Sequence, residues 1–382
     1  MTIRLGHGLV LQPITHHTDT VKYLLLAACC IAAFSPAQAI KKPSRKATID
    51  TLTYPDEHHF RNMRQLTFGG DNAEAYFGPD NQHFTYQRTA PKEGITCDQI
   101  FYGTLHTAKE GRFGSKRVST GKGRTTCAYI MPDGQHVIYA STHGAADTCP
   151  TPPDRRDVKK YVWPIYDSYE IYEADLSGNI TRQLTQSAGY DAEATISPKG
   201  DKIIFTSTRN GDLDLYTMNL DGSDLKQITH ELGYDGGAWF SPDGSKIVWR
   251  ASRPTTDSAV REYRELYAKG LVMPTQMEVF VANADGSDAH QITHLGKANW
   301  APNFTPDGRH IIFASDYEYP RGFPFNLYLV NLDGSGLEKV SHDGGFDAFP
   351  AFSPDGRKFI FSSNRHNGGG HDTNLFICDW ID

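Results

Sequence analysis

The chain has 382 residues and a formal net charge of −7 at neutral pH, with 22% charged and 12% aromatic residues. This acidic balance argues against a nucleic-acid partner and against an anionic membrane surface, because both attract basic proteins. The length exceeds one average domain, but closed β-sheet architectures often form a single unit of this size.

The first 39 residues have the features of a secretory signal peptide. Lys22 precedes an apolar run at residues 23–34, and Ala37-Gln38-Ala39 matches a small-residue cleavage site. The apolar run is too short to span a bilayer. We therefore predict cleavage after Ala39 and release into the periplasm or the medium. We prefer this to lipidation at Cys29, because the apolar stretch before that cysteine is very short.

A tight turn of the Ser-Pro-Asp-Gly type occurs six times in the rest of the chain. Proline presets φ for the second position of a type I turn, and the final glycine supplies a positive φ where the chain re-enters an antiparallel strand. Alternating apolar residues follow each turn, as is typical of a half-buried strand. The six turns contain Pro79, Pro132, Pro198, Pro242, Pro306 and Pro354.

Each repeat has the same predicted order of four strands. Strand A precedes the Pro-turn, strand B follows it, strand C comes after a loop, and strand D follows an Asp-Gly turn. Such an antiparallel unit, repeated radially, is a β-propeller blade. Each strand D ends in an aliphatic residue followed by Thr or Ser. The six endings are Leu66-Thr67, Val118-Ser119, Leu184-Thr185, Ile228-Thr229, Ile292-Thr293 and Val340-Ser341.

The two ends of the chain complement each other. The last repeat stops at Asp382 after strand C, whereas residues 61–67 have the pattern of a strand D with no strands A to C before them. We predict that residues 61–67 complete the last blade and close the ring, which removes an exposed sheet edge. The sequence thus predicts an all-β, six-bladed propeller over residues 60–382, preceded by an N-terminal extension at 40–59.

Export to an oxidising compartment would allow the cysteines that remain after cleavage to form a disulfide. Cys97 and Cys149 fall in the B–C loops of the first two blades and Cys127 begins the second strand A, so strand polarity places all three on one face. An oxidising compartment favours one disulfide among them. We predict that Cys127 is a member, although the sequence does not choose its partner. Cys378 is predicted to be a buried thiol.

The long connections lie on one face of the predicted disc. Pro-turns and Asp-Gly turns emerge on one side, and B–C and D–A loops emerge on the other. Variable loops on a rigid scaffold are where binding concentrates. One insertion places Ala259, Tyr263 and Leu266 at helical spacing, which predicts a short helix that ends before Gly270. The four long B–C insertions are 144–168, 254–276, 317–324 and 366–373.

Polar residues collect on this loop-rich face, where each strand B ends and each strand A begins. A ring of Arg and Asp or Glu around a central tunnel would hold a polar ligand or a peptide segment, and it could hold a divalent cation, although we assign no cofactor. The alternative is bracing between blades, in which each Arg pairs with a neighbouring Asp. The predicted ligand-binding residues are His143, Asp191, Glu193, Arg209, Asp235, Arg253, Asn299, Asp347 and Arg365.

The repeats resemble those of the TolB-type six-bladed propeller over about residues 60–382. The clearest copy is TISPKGDKIIFTSTRNGDLDLYTMNLDGSDLKQIT, at 195–229. TolB has an additional N-terminal α/β domain and uses its propeller to bind a peptidoglycan-associated lipoprotein, but residues 40–59 are too few for that domain. Similar repeats precede the hydrolase domain of prolyl oligopeptidase-like peptidases, for which we expect no room after Asp382. Related propellers form oligogalacturonate lyases.

Two functions of different class remain. The favoured one is a monomeric, exported, non-catalytic propeller that binds an envelope protein, peptide or glycan on its loop-rich face. The alternative is a metal-assisted lyase or hydrolase, with His143 and the tunnel carboxylates as bases or ligands. The sequence contains no Gly-x-Ser-x-Gly elbow, no His-Glu-x-x-His and no phosphate-binding loop, and this favours the first function.

Overall fold

The structure, a computed structural model, describes residues 51–105, 113–320 and 322–382. These residues form six four-stranded antiparallel sheets, one for each sequence repeat. Each innermost strand contacts the innermost strands of the blades on both sides, so the six sheets form a closed ring. The predicted six-bladed propeller is therefore confirmed. The predicted signal peptide, with Cys29, lies outside the described residues.

The strands are numbered here in chain order. The first strand, β1 (Phe60–Gln65), belongs to blade 6. Blade 1 contains β2 (Asp71–Phe77), β3 (His83–Ala90), β4 (Ile95–Thr104) and β5 (Gly114–Arg117). Blade 2 contains β6 (Thr125–Ile130), β7 (His136–Ser141), β9 (Glu170–Asp175) and β10 (Ile180–Gln183), with β8 (Trp163–Pro164) in its insertion. Blade 3 contains β11 (Asp191–Ile196), β12 (Lys202–Ser207), β13 (Asp214–Asn219) and β14 (Lys226–Gln227).

The remaining blades follow the same order. Blade 4 contains β15 (Asp235–Phe240), β16 (Lys246–Ala251), β18 (Glu278–Asn283) and β19 (His290–Gln291), with the helix α1 (Asp257–Tyr267) and β17 (Leu271–Val272) in its insertion. Blade 5 contains β20 (Asn299–Phe304), β21 (His310–Ser315), β22 (Asn326–Asn331) and β23 (Glu338–Lys339), and blade 6 contains β24 (Asp347–Phe352), β25 (Lys358–Ser363) and β26 (Asn374–Trp380). A 3₁₀ turn, Pro91–Glu93, follows β3.

Blade 6 is completed by the start of the described chain, as the sequence predicts. Strand β1 pairs antiparallel with β26, with Phe60 opposite Trp380 and Gln65 opposite Phe376. The ring of Phe60 stacks on Phe359 and Phe361 with centroids 5.6 Å and 5.4 Å apart. Closure therefore combines a strand pairing with an aromatic contact across the joint.

One hydrogen bond recurs in every blade and explains why each strand D ends in Thr or Ser. The hydroxyl oxygen of that residue accepts a backbone N–H of strand C, which ties the outer edge of the blade to its centre. The donor is the second residue of strand C in five blades and Ile100, within the longer β4, in blade 1. The six donor–acceptor pairs are Ile100–Ser119 at 3.0 Å, Ile171–Thr185, Leu215–Thr229 and Val279–Thr293 at 2.8 Å, Leu327–Ser341 at 2.9 Å and Leu375–Thr67 at 2.8 Å.

The insertions of blades 2 and 4 join above the loop-rich face. Strand β8 pairs antiparallel with β17, and Val162, Leu266 and Leu271 form a small apolar cluster between them. The predicted helix is present as α1, whose first turn is capped by the hydroxyl oxygen of Thr256. We call residues 144–168 and 254–276 together the cap. Within the described part of the chain, no helix is both long and apolar enough to cross a bilayer.

Residues 51–59 pack against blade 6 through a buried ion pair. Arg365 donates to both carboxylate oxygens of Glu57, at 3.0 Å and 2.9 Å, and to Asp347 at 2.9 Å. All three side chains are inaccessible to solvent. Glu57 also accepts the N–H of His342 at 3.0 Å, so it connects the start of the described chain to the last two blades.

The disulfide joins Cys97 and Cys149, whose Cα atoms are 6.1 Å apart. A disulfide among the three predicted cysteines is thus confirmed, but the prediction that Cys127 takes part is wrong. The insertion of blade 2 brings Cys149 back to strand β4 of blade 1, where Cys97 lies. A bulge in β6 directs Cys127 elsewhere, and its thiol donates to Glu74 at 2.7 Å. Cys378 is buried, as predicted.

Replacing Glu57 by Gln should lower the free energy of unfolding by about 3 kcal/mol, because it leaves the buried charge of Arg365 undercompensated. Urea denaturation followed by tryptophan fluorescence would measure the change. Glu93→Gln is the matched control, since its ion pair with Arg88 is exposed. It should leave the urea midpoint unchanged. Equal midpoints for the two variants would contradict a structural role for the Glu57 pair.

Removing the disulfide by Cys97→Ala with Cys149→Ala should lower stability by about 2–4 kcal/mol, because the bridge closes a long loop in the unfolded chain. The two residues are 52 positions apart. Peptide mapping under non-reducing conditions should find a Cys97–Cys149 peptide pair, and Cys127→Ala should not remove it. A mapped bridge to Cys127 would contradict the structure.

Candidate functional site

A cavity of about 560 Å³ lies at the centre of the disc and opens on the loop-rich face. Glu74 and Glu193 on innermost strands form part of its wall, Trp163 contributes from the cap, and Phe346 contributes from a D–A loop. The site is therefore built from strands of the blades, the cap, the other B–C insertions and the connections between blades.

The inner strands present side chains to the centre through a shared irregularity. Every strand A contains a fully buried polar or hydroxyl residue, and the second residue after it has positive φ within a β-bulge. Positive φ is unfavourable for residues other than glycine and tends to cluster at functional sites. The six residues are Glu74, Cys127, Glu193, Gly237, Ala301 and Phe349, with φ of 52°, 44°, 59°, 61°, 49° and 56°. The bulge positions therefore form a ring that is polar on one side and apolar on the other.

Glu193 is the best-connected residue of this ring. It accepts hydrogen bonds from the phenol of Tyr234 at 2.8 Å, from Arg250 at 2.8 Å and from the backbone N–H of Gly237 at 2.7 Å. Arg250 also donates to the phenol oxygen of Tyr234 at 2.7 Å. Burial disfavours the charge of Arg250, but Glu193 and Tyr234 hold its pKa above the ordinary value. The cluster is thus a rigid, charge-compensated part of the wall.

Gly237 makes this cluster sterically feasible. A Cβ atom at this position would collide with the guanidinium of Arg250, and its positive φ suits glycine. Blade 4 therefore contributes a backbone N–H to the ring where the other blades contribute a side chain.

Glu74 lies beside this cluster in a different environment. Its Oε2 accepts the thiol of Cys127 at 2.7 Å and the phenol of Tyr76 at 3.5 Å. Burial raises the pKa of Glu74 to about 7. Burial and the nearby carboxylates also raise the pKa of Cys127 well above its usual range, so this residue is a thiol and not a thiolate.

A second ion pair completes the polar wall. Arg124 donates to Asp98 at 2.5 Å, and both side chains retain some exposure, 31% and 19%. The guanidinium of Arg124 lies 5.9 Å from the ring centroid of Tyr166. This pair is more accessible to solvent than the pair of Arg250 with Glu193, whose side chains are each 11% exposed.

Aromatic residues form the opposite wall and the rim. The rings of Trp163 and Trp300 are 4.9 Å apart, and the indole N–H of Trp300 donates to the carbonyl of Pro274 in the cap at 2.8 Å. Tyr161 and Phe323, at the rim, are 53% and 61% exposed. Large exposed aromatic side chains beside a cavity are unusual on a monomer and typical of a binding surface.

The cavity is closed at its inner end. Trp239 packs edge-on against Tyr76 and Tyr129, with ring centroids 4.7 Å and 5.7 Å apart. A second cavity of about 180 Å³ lies on the Pro-turn side and shares no lining residue with the first. The predicted central tunnel is therefore divided, and the cavity on the loop-rich face is a blind cup.

Most of the predicted binding residues lie next to this cup but not in its wall. Glu193 is the one that lines it. Asp191, Asp235, Asn299 and Asp347 are fully buried where their strands begin.

Three of the predicted arginines pair with an aspartate of the same blade. Arg209 donates to Asp191 at 2.8 Å, Arg253 donates to Asp235 at 2.6 Å, and Arg365 donates to Asp347. These pairs join the end of strand B to the start of strand A of the same blade, so they brace each blade internally and not, as the alternative expects, one blade against the next. Burial raises the pKa of Asp235 to about 7, against the effect of Arg253.

His143 is also placed outside the cavity wall. Its Nδ1 lies 2.8 Å from the hydroxyl of Ser141, and its ring packs on Tyr172. Burial and the charge of Lys122 lower the pKa of His143. Among the residues that the structure describes, no group of three or more His, Cys, Asp or Glu side chains could hold a metal ion.

One pattern in the sequence could have identified Glu74 and Cys127, which the predicted set of binding residues does not contain. Aligning the repeats on the buried residue of strand A puts Glu74, Cys127 and Glu193 in the same column, two positions further on. No such register exists for Trp163, which lies in an insertion, and the register of Trp300 on strand β20 does not reveal its contact with that insertion.

Comparisons with known proteins agree with this architecture. The family model described as the TolB beta propeller domain matches residues 152–263 and 273–371. A comparison of the sequence with curated proteins finds no significant match.

Solved structures of similar fold have low sequence identity. A protein assigned as TolB from Agrobacterium tumefaciens has a TM-score of 0.53 and 18% identity, over 84% of this chain and 97% of that one. TolB from Acinetobacter baumannii gives 0.48 and 18%, over 82% and 64%, and an oligogalacturonate lyase in complex with manganese gives 0.44 and 14%, over 84% and 90%. The first of these likenesses concerns the fold alone. With its six four-stranded blades and a family match over more than half of its length, the chain belongs to the TolB β-propeller family.

Proposed function

We propose that the protein is an exported, non-catalytic binding protein that holds the end of a peptide or glycan of the cell envelope in the cup. The observation that carries this proposal is the cup itself: it is blind, it has one polar and one aromatic wall, and its volume of about 560 Å³ suits a small ligand or the tip of a larger one. Ligand sites in proteins typically combine an apolar lining with a few fixed polar groups.

The polar groups are fixed before any ligand arrives. Glu193 and Arg250 compensate each other's charge, and Asp98 and Arg124 do the same. Groups held in this way can exchange hydrogen bonds with a ligand at little cost in side-chain entropy. Preorganisation of this kind supports recognition.

The same contacts argue against catalysis by these groups. The carboxylates of Asp98 and Glu193 are each occupied by an arginine, and the thiol of Cys127 is kept from ionising by its raised pKa. A nucleophile requires an activating base or a lowered pKa. The proposal therefore assigns binding and no reaction to the cup.

Export and domain organisation are part of the proposal. The Cys97–Cys149 bridge supports an oxidising compartment, and the pattern at residues 1–39 supports a cleaved signal. We assign residues 40–59 to an extension and residues 60–382 to the propeller. Within the extension, Glu57 anchors the chain to blade 6.

Trp163→Ala should weaken binding at least tenfold, because it removes a large aromatic side chain that the cap contributes to the wall of the cup. Isothermal titration against defined panels of envelope peptides and glycans would first identify a ligand and then compare variants. Tyr317→Ala is the matched control, since Tyr317 is 41% exposed and lies outside the cup. Thermal unfolding would check that both variants fold. Unchanged affinity in a folded Trp163→Ala variant, or chemical conversion of the bound ligand, would contradict the proposal.

Glu74→Gln should stabilise the protein at pH 8 but not at pH 4.5. The pKa of Glu74 rises from 4.5 to about 7 on folding, so the folded state holds a proton that the unfolded state releases between these values. Wild-type stability should fall as pH rises through this window, by up to about 3 kcal/mol. Urea titrations at both pH values would measure this. A difference between wild type and variant that does not change with pH would be the contrary result.

A further inference from the structure

The charged groups that line the cup do not balance. They include three carboxylates, Glu74, Asp98 and Glu193, but two guanidinium groups, Arg124 and Arg250. The remaining basic side chain of the lining, His371, is exposed and lies in the insertion of blade 6. Each guanidinium pairs with one carboxylate, Arg124 with Asp98 and Arg250 with Glu193. Glu74 is left without a direct cationic partner among the described residues.

The described residues donate hydrogen bonds to one of the two carboxylate oxygens of Glu74. Its Oε2 accepts from Cys127 and Tyr76, whereas the described residues supply no hydrogen bond to Oε1. A carboxylate out of bulk water that lacks a counter-ion is costly to ionise. The raised pKa of Glu74 reflects this cost.

Glu74 lies deep in the cup. Strand β2 runs from the loop-rich face towards the Pro-turn, and Tyr76, two residues later, packs against Trp239, which closes the inner end. A ligand that reaches Glu74 must therefore pass the aromatic wall, where Trp163 and Trp300 lie.

Resting on the function proposed above, we propose that the cup binds a primary ammonium group, that of a lysine side chain on a peptide, with Glu74 as its counter-ion. The aliphatic part of a lysine packs well against aromatic rings, and its charge is attracted to their faces. An anion would be repelled by Glu74. A guanidinium is matched best by both oxygens of a carboxylate, and here one oxygen is already occupied.

The chemistry predicts a specific pH dependence. The charged or titratable groups that act on Glu74 are Cys127, Glu193, Arg250, Asp98 and, through its hydrogen bond, Tyr76. A lysine ammonium remains protonated up to about pH 10, so ionisation of Glu74 controls the pairing. Affinity for a lysine ligand should rise about tenfold between pH 6 and pH 8 and then level off.

The test is isothermal titration of the full chain with acetyl-Ala-Ala-Lys-amide and acetyl-Ala-Ala-norleucine-amide, which differ in the ammonium group. We expect the lysine peptide to bind at least tenfold more tightly at pH 8. Glu74→Gln should abolish both this preference and its pH dependence. Glu318→Gln, which alters an exposed ion pair with Lys339, should retain both.

Equal affinity for the two peptides, no binding of either, or a preference that survives Glu74→Gln would overturn the ammonium proposal. A parallel titration with cellotetraose, an uncharged glycan, separates the two proposals. If the lysine peptide shows no preference over the norleucine peptide, glycan binding that is lost in Trp163→Ala but unaffected by Glu74→Gln would refute the ammonium assignment and leave the binding function standing. Binding of either ligand class that no cup variant weakens would refute the binding function itself.

Discussion

The site depends on one backbone constraint, the left-handed residue two positions after the buried residue of every strand A. Six strands converge on one axis, and regular pleating alone would send alternate side chains into the neighbouring blades. The bulge changes the direction of one side chain per blade. Glu74, Glu193 and Phe349 reach the cavity wall in this way. The strain at these positions is tolerated because the flanking strand pairs fix the backbone on both sides.

The six bulge positions differ in chemistry although they share a conformation. Carboxylates and a thiol occupy three consecutive blades, glycine occupies the fourth, and alanine and phenylalanine occupy the last two. Gly237 admits the guanidinium of Arg250, which pairs with Glu193, whereas the described donors to Glu74 are the uncharged side chains of Cys127 and Tyr76. A symmetric scaffold thereby produces an asymmetric cup. The cap adds to this asymmetry, because Trp163 comes from blade 2 and Trp300 is held by the carbonyl of Pro274 in the insertion of blade 4.

The sequence predicted what repeats and one local helix of an insertion, but it did not predict the long-range contacts that the insertions make. Six Pro-turns and the Thr or Ser endings were sufficient for blade number and for closure by β1, because each signal reflects a local bond or turn that every blade needs. Helical spacing was sufficient for α1. The pairing of Cys97 with Cys149 depends instead on the path of one insertion, and strand polarity alone could not distinguish it from a pairing with Cys127. The polar ring illustrates a second limit: Asp191 and Arg209 are polar and adjacent to the centre, but they satisfy each other inside the blade.

The central claim is that the blind cup on the loop-rich face receives the ligand. The most direct test is a crystal structure of the protein with a bound peptide or glycan selected by titration. The claim predicts ligand density between Trp163 and Glu193, on the outer side of the packed rings of Trp239, Tyr76 and Tyr129 that close the inner end of the cup. Ligand density on the Pro-turn face or on the outer edge of a blade, with the cup filled by solvent alone, would contradict it.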